Sequence, residues 1–247
     1  MSGENKMNLI VTKDLTKNYK DIVALDHINL EIKEGELFGL LGVNGAGKTT
    51  LIKILTTLTK PSSGQAFIDG YDLIKEGQKI KSIIGVSPQE TAIATNLTVR
   101  ENLELMCGIH GFSKEKIKEK TNKLLKDFGL EKIKNKKSAN LSGGYKRRLS
   151  IAMAIIGEPK ILFLDEPSLG LDVIARSELW EIIKNLKENL TIILTTHYME
   201  EAEYLSDRVA ILKNGKMLKV GTTSEIKNLS GTENFVDAFI KITKEEK

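Results

Sequence analysis

A glycine-rich segment between an apolar run and a helix-forming run constrains this chain more than any other feature. The segment, residues 42–49 (GVNGAGKT), fits the pattern G-x-x-x-x-G-K-[S/T] and follows the apolar run at residues 37–41. Glycines let the backbone curl so that successive N–H groups point at phosphate oxygens, and the dipole of the following helix strengthens the attraction. Lys48 is expected to reach the β- and γ-phosphates and Thr49 to ligate Mg²⁺, so the segment predicts binding of a nucleoside triphosphate.

An acidic pair follows a second apolar run. Residues 161–164 (ILFL) lead directly into Asp165 and Glu166. Carboxylates at the carboxyl end of a central strand lie where doubly wound sheets bind their ligands. We expect Asp165 to hold Mg²⁺ through water and Glu166 to polarise an attacking water as the general base. The alternative is that Glu166 only caps the following turn.

Composition excludes several other classes of protein. The 37 Lys and Arg against 33 Asp and Glu give a net charge of +4, which is too weak to indicate a nucleic-acid partner. A single cysteine, Cys107, rules out an internal disulfide framework and fits a reducing compartment. No apolar run approaches the roughly 18 residues of a membrane span, and residues 1–10 lack the apolar core of an export signal. These features predict a soluble cytosolic chain with one hydrophobic core.

The order of predicted elements is typical of an α/β protein with a helical insertion. Three short strands are expected before residue 42, and further strands alternate with helices on both sides of the middle region. In that middle region, Thr98 and Glu101 form a capping box that predicts a helix to about Ile109, and Gly129 is placed to end the next helix. No strand is predicted there.

A second glycine pair stands at the start of another predicted helix. Residues 141–150 (LSGGYKRRLS) place Ser142 as the helix N-cap, and Gly143 and Gly144 leave the first N–H groups of the helix uncovered. On these motifs the chain resembles the nucleotide-binding subunits of ATP-binding-cassette (ABC) transporters, whose signature reads LSGGQ. Tyr145 stands here in place of the glutamine. The contacts expected to matter use Ser142 and the glycine N–H groups, so nucleotide binding does not depend on this difference.

The resemblance implies roles for four further residues. Tyr19 would stack on adenine, Gln89 would sense Mg²⁺ and water, and His197 would contact the γ-phosphate. Asp172 would contact the opposing subunit. The alternatives are an ordinary strand tyrosine, a generic loop glutamine and a structural histidine. The residues expected to bind ATP are Tyr19, Gly42, Asn44, Gly45, Ala46, Gly47, Lys48, Thr49, Thr50 and Gln89.

The resemblance also implies an α/β fold: a P-loop NTPase (RecA-like) core with an antiparallel β region and an inserted α-helical subdomain. It predicts one ABC ATPase domain at residues 8–229, in which the core takes about residues 8–88 and 158–229 and the helical subdomain about residues 89–157. Residues 230–247 are expected to form a C-terminal tail.

The implied cofactors are ATP and Mg²⁺, and the implied assembly is a head-to-tail dimer. Lys48 of one copy and Ser142 of the other would bind the same ATP, and both a homodimer and a heterodimer are open. Glu166, His197 and Lys48 would carry catalysis, while Thr49, Gln89 and Asp165 would manage the metal.

A separate polytopic membrane permease is the expected partner, and it would hold the chain at the cytoplasmic side of the cell membrane. The runs SGGYKRRL and THYMEEAE, with a short tail, look most like ATPases of ABC-2-type exporters. The alternative is a soluble ABC ATPase without transport, of the cluster-assembly type. No nucleic-acid partner is expected.

Overall fold

The computed structural model describes residues 7–245. The expectations for residues 1–6 and 246–247 lie outside this range. In chain order the strands are β1 (Asn8–Tyr19), β2 (Ile22–Lys33), β3 (Leu37–Gly42), β4 (Ser63–Ile68), β5 (Tyr71–Asp72), β6 (Ile84–Ser87), β7 (Ile161–Asp165), β8 (Thr191–Thr196), β9 (Arg208–Lys213) and β10 (Lys216–Gly221). The α-helices are α1 (Lys48–Leu55), α2 (Gly77–Ile83), α3 (Val99–Ile109), α4 (Lys114–Asp127), α5 (Gly143–Ala154), α6 (Val173–Lys187), α7 (Met199–Leu205), α8 (Thr223–Ser230) and α9 (Phe235–Glu245).

The most apolar strands form the centre of a six-stranded sheet, in the order β10-β9-β3-β8-β7-β6. All pairs except β10 with β9 are parallel. Every residue of β3, β7 and β8 is buried, as expected of strands covered on both faces. The register places Leu41 beside Thr196 and Asp165 beside Thr195. The loops that follow these three strands therefore meet at one edge of the sheet.

A second, antiparallel sheet covers the start of the chain, in the order β2-β1-β4-β5. The prediction of short strands here was wrong, because β1 and β2 each run for 12 residues. Both strands continue through irregular positions where the pairing shifts. Asp14 and His27 adopt positive φ values of 48° and 49° at these positions. These positions are bulges, which interrupt a ladder without ending it, so the two strands are longer than expected.

Helices α3, α4 and α5 fill the middle region, in which no strand was predicted. The β pairing in this described region is an isolated bridge between Thr98 and Lys137. The Thr98 hydroxyl accepts from the Glu101 N–H at 3.2 Å, and Glu101 Oε2 accepts from the Thr98 N–H at 2.7 Å. The predicted capping box and its helix are thus confirmed. Gly129 follows α4 with φ 63°, as expected of a helix-ending glycine.

Cys107 lies in the apolar core that these helices share with the sheet, and its side chain is completely buried. Burial raises the pKa of the thiol.

The segment expected as a tail contains α9. Its apolar side packs against β9, α7 and α8 through Phe235, Ala238, Phe239 and Ile242, all of which are buried. These positions recur at the spacing of one helical face, which is the signal that predicts an amphipathic helix. Among the described helices, none is long and apolar enough to cross a membrane.

Candidate functional site

The loops at the carboxyl edge of the six-stranded sheet enclose a cavity of about 630 Å³. The glycine-rich segment forms its floor, and the wall formed by β2 contributes Ile22, Val23 and Ala24. The predicted site residues that line the cavity are Asn44, Gly45, Ala46, Gly47, Lys48, Thr49, Thr50, Gln89, Glu166 and His197. The structure therefore brings together the motif after β3, the acid after β7 and the histidine after β8.

The tight path of the loop depends on glycine at residue 47. Gly47 has φ 107° and directly precedes α1. A Cβ at this position would lie 2.7 Å from the carbonyl oxygen of Ala24, closer than two such atoms can approach. The first N–H groups of α1 have no acceptor within the helix, so they face the cavity as a ready anion site.

Lys48 is held in place by oxygens of three residues, the longest contact being 3.4 Å from Nζ to the carbonyl oxygen of Val43. Its Nζ donates to the carbonyl oxygen of Gly42 at 2.7 Å and lies 3.2 Å from Glu166 Oε1. Both charged side chains are more than nine-tenths buried. A buried cation at a helix start with one carboxylate partner can exchange that partner for a phosphate oxygen, which offers the same charge.

Glu166 is shared between two partners at the cavity. Its Oε1 faces Lys48, and its Oε2 lies 2.8 Å from His197 Nδ1. The Glu166 N–H donates to the Thr195 hydroxyl at 2.9 Å, and its φ of 49° is unusual for a residue other than glycine. The backbone is thus bent so that the carboxylate projects into the cavity between Lys48 and His197, not toward the turn that follows.

Oxygen donors suited to a hard cation meet beside the phosphate loop. The Thr49 hydroxyl lies 3.3 Å from Asp165 Oδ1, and the same oxygen accepts a hydrogen bond of 2.5 Å from Thr195. Gln89 lines the same cavity. Mg²⁺ prefers hydroxyl, carboxylate and amide oxygens and takes its other ligands from water and phosphate. The chemistry of this donor set therefore fits the ion that the sequence predicts.

Seven predicted residues lie outside the described lining of this cavity. Tyr19 ends β1 with 44% of its surface exposed, and its ring is covered by Lys17 Nζ at 4.8 Å. The cavity wall next to it is formed by Ile22, Val23 and Ala24 instead. The other six are Ser142, Gly143, Gly144 and Asp172, together with Gly42 and Asp165, which contact the lining residues Lys48 and Thr49.

The signature segment and the start of α6 form a second surface. Ser142 is exposed at the N-cap of α5, and its side chain makes no capping hydrogen bond. A Cβ on Gly144 would lie 3.0 Å from Ala175 Cβ, so the missing side chain lets α5 approach α6 closely. Asp172 caps α6 by accepting from the Ala175 N–H at 2.9 Å. The signature segment and Asp172, which is predicted to contact the opposing subunit, are therefore neighbours within one chain.

Sequence reasoning missed two residues that hold this site. Thr195 bonds both Asp165 and the Glu166 backbone, as described above. Arg147 is buried on α5 and donates to the carbonyl oxygens of Pro88 at 2.7 Å and Gln89 at 2.6 Å. Desolvation lowers the pKa of Arg147, while the charges of nearby carboxylates act in the opposite direction. The signal available in the sequence was the spacing of three residues between Arg147 and Ser150, which places both on one face of the helix. The structure shows that this face is buried.

Replacing Arg147 by methionine should lower the free energy of unfolding by about 2–4 kcal/mol, because the two loop carbonyls lose a charged donor. Urea denaturation measures the change. Arg147→Lys keeps the charge with a single ammonium and should lose about half as much. A methionine variant as stable as the wild type would contradict the importance of these two bonds.

Comparison with known proteins agrees with the fold and the site. The family model "ABC transporter" matches residues 25–169. The probable multidrug ABC transporter ATP-binding protein YbhF of Escherichia coli is 39% identical over 248 aligned positions, which cover 98% of this chain and 43% of YbhF. The doxorubicin resistance ATP-binding protein DrrA of Mycobacterium tuberculosis is 38% identical over 225 positions, covering 90% of this chain and 68% of DrrA.

A solved structure agrees as well. The dimeric post-hydrolysis structure of the ATP-binding cassette MJ0796 with ADP and Pi is 31% identical, with a TM-score of 0.79, and covers 86% of this chain and 98% of that one. The fold and site define a P-loop nucleotide-binding domain with a signature helix. The chain belongs to the ABC transporter family. The predicted fold class is confirmed, while the chain spans less than half the length of YbhF.

Proposed function

We propose that this chain hydrolyses ATP and thereby powers export by a separate membrane-spanning permease. The observation that carries the proposal is the placement of Glu166 between Lys48 and His197 at the cavity, 3.2 Å from the lysine Nζ and 2.8 Å from the histidine Nδ1. The names of YbhF and DrrA, a probable multidrug transporter protein and a doxorubicin resistance protein, support export as the direction of transport.

The site residues divide the reaction between binding and proton transfer. Phosphate oxygens would take Lys48 from its present partner Glu166, which releases the carboxylate to accept a proton from the attacking water. Water oxygen then bonds to the γ-phosphorus as the bond to the leaving ADP breaks, and His197 holds water and phosphate in place. Mg²⁺, held by Thr49 and Asp165 with Gln89, would neutralise developing charge on the phosphates.

The second surface fits a partner site in another copy. Ser142 and the N–H groups of Gly143 and Gly144 begin a helix that is exposed at its N-terminus, beside Asp172. Such a helix start attracts phosphate. A head-to-tail dimer would bring this surface to the ATP bound at Lys48 of the other copy. The dimeric cassette structure among the structural relatives supports this arrangement.

Two measurements test the proposal. Purified chain should hydrolyse ATP only with Mg²⁺ present, which a phosphate-release assay measures. Tagged Glu166→Gln chain, loaded with ATP and extracted with detergent from the membranes of the native cell, should co-purify a polytopic membrane protein. A Lys48→Met bait serves as the matched control that is deficient in ATP.

The outcomes separate transport from the soluble alternative. Recovery of the membrane protein by the Glu166→Gln bait supports a peripheral subunit on the cytoplasmic side of the membrane. ATP hydrolysis together with soluble partners alone, and a chain absent from the membrane fraction, would overturn the transporter proposal and favour an ABC ATPase of the cluster-assembly type.

A further inference from the structure

A buried carboxylate on α7, the helix that follows His197, has no role in the reaction described above. Glu201, on α7, has no exposed surface. Its Oε1 accepts a hydrogen bond of 3.0 Å from the indole N–H of Trp180 on α6. Burial raises the pKa of Glu201, and the nearby side chains of Thr196 and Ser168 oppose that rise. One acidic group thus lies near side chains from three different segments of the chain, and Trp180 makes the hydrogen bond to it.

The surroundings of Glu201 make its burial costly. Desolvation raises the pKa of Glu201, and the charge of Glu166 adds to the rise. Glu201 Oε2 and the Ser168 hydroxyl are both buried, and neither makes a hydrogen bond of ordinary geometry. An acid held in this way costs free energy that an apolar side chain would not. Packing alone therefore does not account for a glutamate here.

The three segments around Glu201 are those that carry the reacting groups. Ser168 stands two residues after Glu166, and Thr196 directly precedes His197. Trp180 belongs to the helix that Asp172 caps. The hydrogen bond from Trp180 to Glu201 ties α7, which follows His197, to α6, which follows the Glu166 segment, and so bears on the distance between the general base and the histidine that binds it.

Stacked side chains extend the same connection. The ring of His197 lies 4.1 Å from that of Tyr198. The guanidinium of Arg176 lies 5.5 Å from the Tyr198 ring and 5.7 Å from the Trp180 ring. A continuous column thus runs from His197 to Trp180, which is the residue that donates to Glu201.

We propose that Glu201 is a positioning residue, which holds the His197 loop against the segment that follows Glu166 and so sets the geometry of the general base. The inference rests on the proposed ATP hydrolysis. In this inference Glu201 makes no contact with nucleotide. Removal of the Glu201 carboxylate should therefore lower turnover and leave nucleotide binding intact.

Steady-state ATPase kinetics and titration with a fluorescent ATP analogue test the inference. Glu201→Ala should lower kcat about tenfold or more and leave nucleotide affinity within about twofold. Glu201→Gln retains an acceptor for Trp180 and should keep kcat within about threefold of the wild type. Glu200→Ala, which removes the exposed neighbouring acid, is the matched control and should change neither value. Thermal unfolding checks that each variant is folded.

A double-mutant cycle separates positioning from general destabilisation. In a His197→Ala background, measured in single turnover, Glu201→Ala should lower the rate by less than about twofold further, because the residue acts through His197. Where Glu201→Ala fails to fold, Trp180→Phe removes the indole donor and keeps a smaller aromatic ring, and it should lower kcat at least about threefold in the wild-type background alone.

Each remaining outcome overturns the inference. Wild-type kcat in folded Glu201→Ala, or an equal loss in both backgrounds, excludes action through His197. Loss of nucleotide affinity in proportion to kcat would indicate a merely structural role. If the wild-type chain hydrolyses no ATP, both the proposed function and this inference are overturned. If the wild-type chain is active and Glu201→Ala has the same kcat, this inference alone is overturned.

Discussion

Glu166→Gln should bind ATP at least as well as the wild type and hydrolyse it about 10³-fold more slowly. Glutamine has the shape of glutamate but cannot accept a proton from the attacking water. It also removes the anion that lies 3.2 Å from Lys48 Nζ, so phosphate has no competitor for the lysine. Single-turnover hydrolysis and nucleotide titration measure the two effects separately.

The same variant should accumulate as a dimer with ATP, because the nucleotide that joins two copies is not removed. Size-exclusion chromatography with and without ATP measures this. Glu188→Gln, at an exposed acid at the end of α6, should behave as the wild type in all three measurements. Turnover of Glu166→Gln near the wild-type rate would remove Glu166 from the role of base.

Lys48→Met should have the opposite profile, with ATP affinity reduced about 100-fold. Methionine fills a similar volume but supplies no charge for the phosphates and no donor for the Gly42 carbonyl, which now accepts at 2.7 Å. Glu166, which is buried, also loses its cationic partner and would repel the incoming phosphates. Isothermal titration with ATP measures the loss.

Lys53→Met provides the control for this second variant. Lys53 lies on the same helix, α1, with its side chain exposed, so its removal should leave affinity within about twofold. ATP affinity of Lys48→Met within about threefold of the wild type would show that the backbone N–H groups bind the phosphates without the lysine.

The features that could be predicted from the sequence are those set by local chemistry. The turn at Asn214 and Gly215 illustrates this, because both residues have the positive φ values, 49° and 77°, that a two-residue hairpin requires. The capping boxes at Thr98 and Thr222 are also formed by residues three apart. The phosphate loop belongs to the same class, since its glycines and lysine are contiguous in sequence.

The features that could not be predicted depend on contacts between distant segments. Arg147 donates hydrogen bonds to the backbone carbonyls of Pro88 and Gln89, which lie 59 and 58 positions earlier in the chain. No spacing rule connects residues so far apart in sequence. Thr195 meets Asp165 because β7 and β8 are neighbours in the sheet, which only the strand order reveals. The failure at β1 and β2 had a different cause, because a bulge and a turn share the same residue preferences.

The roles of the remaining predicted residues depend on molecules outside this one chain. Tyr19 stays a prediction for adenine stacking, and Ser142 and Asp172 stay predictions for contact with a second copy. Each of them is exposed. Exposure at the edge of a cavity or at a helix start is compatible with such contacts, and the size-exclusion experiment proposed for Glu166→Gln tests the contacts of Ser142 and Asp172.

Burial of the single cysteine makes this chain well suited to spectroscopic labelling. Maleimides react with a thiolate, and the buried Cys107 thiol has a raised pKa, so it reacts slowly. New cysteines at exposed apolar positions, such as Val43→Cys within the phosphate loop and Val173→Cys at the start of α6, would therefore take up dye selectively. Energy transfer between these two positions could report the closure of two copies around nucleotide in a protein whose native cysteine stays in place.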